Sequence, residues 1–258
     1  MINEDELVLN NLGFDGKLKV YQDKQMFNYS VDTILFANFI FLNQKIKYAL
    51  EIGTNNAALA IFLAARNEAL KIDAVEIQKR AILIAEKNLE FNKMKNQINL
   101  INQDFNLFYK EHAKNVRQKY QMIFVNPPYY PMESSIIPNS SESKLIATHE
   151  VKLNLEQIIL GSSKIIEQKG YLNFVIPVER FVDLVTLLRK YKFEPKRIQF
   201  IYPRIHEKAK FVMLESRYNS GYGQHYLENL YLHPEDINDH SYLENIKELY
   251  IPKKVEHE

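Results

Sequence analysis

Met122-Ile123-Phe124-Val125-Asn126-Pro127-Pro128-Tyr129 is the stretch on which the fold turns. Its four apolar residues suit a short buried strand, and the Asn-Pro-Pro that follows ends it, because proline neither donates to a β-ladder nor continues one. In open α/β sheets, ligands bind just beyond such carboxyl ends. There the Asn126 side-chain oxygen and the Pro127 carbonyl can accept hydrogen bonds from an exocyclic NH2, while the Tyr129 ring offers a stacking face. Together they suit a flat, amino-bearing group. A Pro-rich strand exit with no ligand is the plainer alternative.

Upstream, Tyr48-Ala49-Leu50-Glu51-Ile52 runs into Gly53-Thr54-Asn55-Asn56-Ala57 and then the apolar run 58–65. This is strand, tight turn and helix, the arrangement that brings backbone amides and a helix N-terminus to a bound ligand. The next strand, Lys71-Ile72-Asp73-Ala74-Val75-Glu76, ends in an acid 23 residues beyond Gly53. That is about the distance at which doubly wound nucleotide sites place a carboxylate on the ribose hydroxyls. Residues 78–92 have helical spacing, and 98–105 form a third strand ending at Asp104-Phe105. Before all of this, 7–24 alternate apolar and polar residues around Gly13 and Gly16 as a hairpin does. Residues 27–43 form a helix with Ser30 or Asp32 at its start, followed by Thr33.

Downstream, 130–143 is a Ser-, Pro- and Asn-rich loop at the mouth of the site, either a lid or a mere connection. Thr148-His149-Glu150 leads into an amphipathic helix, 153–168, ended by Lys169-Gly170. His149 is better read as a satisfied polar residue than as a base. A strand at 171–177, a helix at 178–191 and strands at 195–202 and 211–215 complete the pattern. Strands alternating with helices predict an α/β fold with a parallel sheet.

The 258 residues are 46% hydrophobic and 25% charged, the composition of an ordinary soluble globular chain. Without cysteine there is no thiolate nucleophile for pyrimidine carbon methylation and no cysteine-based metal site. No run approaches the length of a membrane span, and Met1-Ile2-Asn3-Glu4-Asp5-Glu6 is acidic rather than a basic leader, so a cytoplasmic location is expected. The net charge is only +1, yet eight Lys or Arg against two acids fall between Arg189 and Lys210. Such a segment suits a localised phosphate contact, or equally a solvated surface.

Asn126 to Tyr129 resembles motif IV of the class I S-adenosylmethionine (SAM) methyltransferases that modify amino nitrogens. Around it, Phe27-Asn28-Tyr29-Ser30-Val31-Asp32-Thr33-Ile34-Leu35, the Glu51-Ile52-Gly53-Thr54 turn, Ala74-Val75-Glu76-Ile77-Gln78, Thr148-His149-Glu150 and Glu194-Pro195-Lys196-Arg197-Ile198-Gln199-Phe200 follow in the order and spacing of one family. Over roughly residues 5–215 the chain is similar to the bacterial tRNA1(Val) adenine-37 N6-methyltransferases.

The resemblance implies a Rossmann-like, seven-stranded, mostly parallel sheet with helices on both faces and the last strand pair antiparallel. It implies an N-terminal hairpin or cap at 1–26, the SAM-dependent domain at 27–215 and an acidic, aromatic extension at 216–258. SAM would be held by Asp32, Thr33, Glu51, Gly53, Asn55, Glu76, Asp104, Phe105 and Asn126. Asn126, Pro127 and Tyr129 would be catalytic, and tRNA would meet Lys196, Arg197, Arg204, Lys208 and Lys210. The expected enzyme is a monomer that needs neither metal nor membrane. The family pattern is acid-x-Gly-x-Gly-x-Gly, and this chain keeps only Gly53, with Asn55 and Ala57 at the other glycine places. Alternatives that share the tetrapeptide are methylation of a release-factor glutamine, ribosomal RNA guanine N2 or DNA adenine. Asn55 also leaves open a non-catalytic RNA-binding descendant.

Overall fold

A computed structural model of the chain describes residues 6–13, 16–26, 29–116, 118–127, 154–251 and 254–255. In chain order the elements are β1 (Leu7–Gly13), β2 (Leu18–Asp23), α1 (Val31–Phe39), β3 (Tyr48–Ile52), α2 (Ala58–Arg66), β4 (Lys71–Glu76), α3 (Lys79–Phe91), β5 (Ile98–Asn102), α4 (Phe105–Asn115) and β6 (Tyr120–Val125). After them come α5 (Leu155–Ile165), β7 (Ile166–Pro177), a 3-10 turn at Val178–Arg180, α6 (Phe181–Lys190), β8 (Phe193–Tyr202), β9 (Phe211–Tyr218), β10 (His225–Tyr226), β11 (Leu230–Tyr231) and α7 (Glu244–Glu248).

The main sheet runs β8-β9-β7-β6-β3-β4-β5, parallel except that β9 is antiparallel to both neighbours. These are the seven expected strands, and among the described residues two more, each of two residues, lie parallel on the outer edge of β8. From β3 the chain steps outward to β4 and β5, then returns to β6 on the other side of β3. The strand order therefore reverses between β3 and β6, which is where open α/β sheets bind ligands.

Both faces of β6 are buried, as a continuous apolar run requires of a central parallel strand. Met122 and Phe124 join α1 and α2 residues such as Ile34, Phe36 and Ile61. Ile123 and Val125 join Phe105 and Phe108 of α4, Ile158 of α5 and Leu184 of α6. At the opposite edge from Asn126, the buried Asp73 carboxylate accepts from the hydroxyls of Tyr48 (2.5 Å) and Tyr120 (2.6 Å) and from the Asn99 amide (2.8 Å). One side chain of β4 thus ties β3, β5 and β6 together. Burial and this carboxylate push the Tyr48 phenol up to about 12.

The helix expected over 153–168 ends earlier, at Ile165, because Ile166 already pairs with Tyr120. Its start carries a capping box between Asn154 and Gln157. Gly170 does not terminate the helix. Lys169 takes the left-handed conformation instead (φ 61°), and a Cβ on Gly170 would stand 2.6 Å from Ile166 Cγ1. The N-terminal hairpin forms as expected, from β1 and β2. Among the described residues, no helix is long and apolar enough to cross a membrane.

Candidate functional site

Four strand ends meet at the carboxyl edge of the sheet, and each delivers a polar side chain by the local sequence that ends it. Glu51 is the next-to-last residue of β3, Glu76 the last of β4, Asp104 follows β5, and Asn126 follows β6.

Gly53, Asn55 and Ala57 all have positive φ, at 73°, 50° and 64°. The backbone of a triple-glycine turn is therefore kept with two side chains on it. Asn reaches this region at modest cost, whereas alanine is strained there. A Cβ on Gly53 would meet nothing within 4 Å, so the space in front of the turn is open. Ala57 is also the N-cap of α2 and supplies no side-chain cap; the neighbouring Asn56 Oδ1 accepts from Ala58 N at 3.4 Å instead.

The Glu76 carboxylate, 6% exposed, accepts from the backbone amides of Asn55 (3.0 Å) and Gln78 (2.8 Å), one on each oxygen. Each carboxylate oxygen has two lone pairs, so acceptor capacity remains for hydroxyl groups. Burial pushes the Glu76 carboxyl up, against the pull of these amides. Glu51 lies deeper, at 4% exposed, and accepts from the Thr54 hydroxyl at 2.5 Å. Burial, with the Glu76 charge adding to it, lifts its carboxyl to about 8.

Asp32, 2% exposed, sits in the first turn of α1 beside Thr33, which is also buried. Ser30 is the N-cap residue of α1 but does not cap it with its hydroxyl; that hydroxyl bonds Asp32 instead. Asp32 Oδ2 accepts from Asn126 Nδ2 at 3.1 Å. The bond joins residues far apart in sequence and brings the Phe27-to-Leu35 block and the strand exit into one site. Pro127 is buried next to Asn126. Tyr129, the 130–143 loop and Thr148-His149-Glu150 lie outside the described residues.

Asp104 caps α4, its carboxylate accepting from Asn106 N at 2.6 Å. This places Phe105 as the first helical residue and turns its ring inward against Tyr109, opposite Gly161 of α5. Phe105 is thus packed in the core, at 4% exposed. An exposed apolar side chain at this edge is Ile77, directly after Glu76 and 37% exposed. It lies one residue past the end of β4.

Of the five cations expected to face RNA, three are committed to the protein itself. Lys196 Nζ donates to the carbonyls of Gly221, Tyr222 and Gly223. Arg197 bonds the Phe39 carbonyl (3.0 Å) and Glu215 (3.2 Å) and lies over the Phe39 ring. Arg204 is buried and holds Glu207 together with the carbonyls of Asp236, Ile237 and Asp239. Lys208 and Lys210 are exposed. Their loop, between β8 and β9, leaves the sheet at the same edge as Asn126, since β8 runs parallel to β7. Among the described residues, no three His, Cys, Asp or Glu groups gather as a metal site.

Comparison with known proteins agrees with this geometry. The model of the family described as methyltransferase small domain matches residues 30–192. Two relatives are named tRNA1(Val) (adenine(37)-N6)-methyltransferase. That of Christiangramia forsetii is 25% identical over 93% of this chain and 97% of its own length, and that of Parabacteroides distasonis is 26% identical over 77% and 80%. Among solved structures, a protein described as a predicted O-methyltransferase from Agrobacterium tumefaciens superposes with a TM-score of 0.66 at 17% identity, over 88% of this chain and all of that one. Trm5 of Methanocaldococcus jannaschii in complex with adenosine superposes at 0.57 and 15%, over 84% and 57%. At these identities the likeness is one of fold.

Proposed function

The chain belongs to the methyltransferase small domain family, and from that premise we propose that it methylates N6 of adenosine 37 in tRNA1(Val), with SAM as methyl donor. The observation that carries the reading is Asn126, fixed by Asp32 at the switch point of the sheet beside the left-handed turn.

The residues at the strand ends fit SAM. Open space in front of Gly53, the buried Glu76 carboxylate and the exposed Ile77 suit a nucleoside with two adjacent hydroxyls and a flat base. When bound, SAM supplies a methyl group activated by its sulfonium charge.

The chain's own residues hold the acceptor. A carboxylate only accepts, so Asp32 takes the Asn126 NH2 and thereby turns Oδ1 toward the acceptor. Asn126 Oδ1 and the Pro127 carbonyl then receive the two hydrogens of the adenine amino group. An exocyclic adenine nitrogen is a poor nucleophile because its lone pair is delocalised into the ring. Two fixed acceptors hold it in line, favour its tetrahedral form and strengthen as positive charge builds on nitrogen. Tyr129 stacks on the base, which must be unpaired to enter. Lys208 and Lys210, at the same edge, meet the RNA backbone.

The release-factor, ribosomal RNA and DNA alternatives share the Asn126 geometry, and the names of the relatives favour tRNA over them. Against a non-catalytic descendant stands the turn itself, which keeps its left-handed form despite Asn55 and Ala57. Incubation with SAM and unmodified tRNA, followed by mass spectrometry of mapped nucleosides, tests the reading. N6-methyladenosine next to the anticodon is the expected product. SAM binding without that product would redirect the search to another acceptor, and no SAM binding would sink the catalytic reading.

A further inference from the structure

Asn88 of α3 is fully buried, and the other buried residues of that helix are Ala81, Ile82, Ile84, Ala85 and Leu89. A polar side chain in such a place needs all its partners inside the protein. Its Oδ1 accepts from Tyr21 N (2.6 Å), and its Nδ2 donates to Tyr21 O (3.1 Å) and to Asn56 O (2.9 Å). One turn further along, Asn92 repeats the first half of the pattern on Lys19, with Oδ1 accepting from its N (3.3 Å) and Nδ2 donating to its O (2.8 Å). Two side-chain amides therefore pair with β2 as the peptide groups of a neighbouring strand do. The spacing permits it: four residues of helix rise about 6 Å and two residues of strand about 6.6 Å.

Asn92 Nδ2 also donates to Asn88 O (2.8 Å), whereas Asn88 bonds the 53–57 turn, where Asn56 lies between the two strained positions. Asn56 also reaches back, its Nδ2 donating to Tyr21 O at 3.2 Å. The carbonyl of the turn, the amide of α3 and the backbone of β2 form one closed cluster.

We infer that the N-terminal hairpin is a working part of the cofactor site: β2, through Asn88, holds the 53–57 turn in the left-handed form, so hairpin docking and SAM affinity are linked. Asn88 is a positioning residue in this arrangement. It rests on the assignment of the turn to SAM made above. By reciprocity, whatever loosens β2 weakens SAM binding, and SAM tightens β2.

Asn92→Ala tests the inference, because it removes two β2 bonds and one to the Asn88 carbonyl while leaving the Asn88 side chain, the turn and the site in place. Its SAM Kd and KM are expected to rise about three- to tenfold, as when a competent state is populated only in part, with kcat at saturating SAM and KM for tRNA unchanged. In the unaltered protein, saturating SAM is expected to slow hydrogen exchange at the Lys19 and Tyr21 amides. An Asn92→Ala protein of lower melting temperature but unaltered SAM affinity, or β2 exchange indifferent to SAM, would reduce the hairpin to packing and overturn the linkage. Gly53→Val separates the two levels. If it abolishes SAM binding while Asn92→Ala does not alter it, only the linkage fails; if Gly53→Val binds SAM normally, the cofactor assignment fails and the linkage with it.

Discussion

Asn126 Nδ2 donates to Asp32 Oδ2 at 3.1 Å, joining the residue that ends β6 to the second residue of α1. A side-chain amide has two nearly isosteric ends, and only one of them can receive an amino group. Asp32 removes that ambiguity. On the proposed function Asp32 places the methyl acceptor through Asn126, beside the part expected of it in holding the donor.

The two parts separate kinetically. Asn126→Ala is expected to lower kcat about 100- to 1,000-fold, as loss of a charge-stabilising partner does, with SAM affinity nearly unchanged. Asp32→Ala is expected to lower kcat about 10- to 100-fold through a misplaced amide. Single-turnover methyl transfer and calorimetry with SAM distinguish the roles: a raised SAM Kd with normal kcat for Asp32→Ala would return Asp32 to the cofactor.

Strain in the 53–57 turn has a sign. Ala57→Gly relieves a left-handed alanine and is expected to stabilise the protein by about 0.5–1 kcal/mol, with Asn55→Gly giving less. At about 2–4 °C per kcal/mol for a chain of this size, thermal melts resolve the difference. Gly53→Ala is expected to cost about 1 kcal/mol for its φ alone and to weaken SAM binding, because its methyl enters open space. A destabilised Ala57→Gly would show that the turn is relaxed rather than strained.

Glu51 links stability to pH. Its carboxyl titrates near 8 in the folded protein and near 4.5 in the unfolded chain. Between these values the folded state holds the proton and the unfolded state does not, so unfolding releases it and stability falls as pH rises. The contribution of the neutral acid is complete below about pH 4.5 and lost once pH passes 8. Denaturant titrations at pH 5 and pH 8.5 should show Glu51→Gln gaining on the unaltered protein at the higher pH; parallel curves would mean that Glu51 is ionised throughout.

Charge at the loop between β8 and β9 should act on RNA alone. Lys208→Glu with Lys210→Glu is expected to weaken tRNA binding and to lower the slope of log affinity against log salt by about one to two, leaving SAM affinity intact. Arg204→Ala is expected to lower the melting temperature instead, because it releases three carbonyls and Glu207. Filter binding across a salt series checks the first, and an unchanged slope would move the RNA face elsewhere.

What local pattern specifies was legible. The exit at Asn126, the acid at Glu76 and the hairpin at 7–24 each follow from residue type and spacing within a few positions. Partners distant in sequence were not. The excess of cations between Arg189 and Lys210 is visible in the chain, but nothing local says that Arg197 will meet Glu215 and Phe39 or that Arg204 will gather carbonyls from 236 to 239. The end of α5 was misplaced for a related reason. Gly170 carries the usual sign of a helix terminus, yet pairing of Ile166 with Tyr120 had already taken the chain into the sheet. Asn88 did leave a signal, a lone amide at an apolar helical spacing, whose meaning depends on β2 lying against it.

The two short strands on β8 carry a consequence for the edge of the sheet. A sheet whose last long strand shows bare amides and carbonyls is a template for a second molecule. Here His225, Tyr226, Leu230 and Tyr231 occupy that position, and Leu227 N and Leu232 N continue the contact through the carbonyls of Ile198 and Tyr202. The acidic segment that follows β9 thus covers the β8 edge, whose amides and carbonyls are no longer offered to another strand.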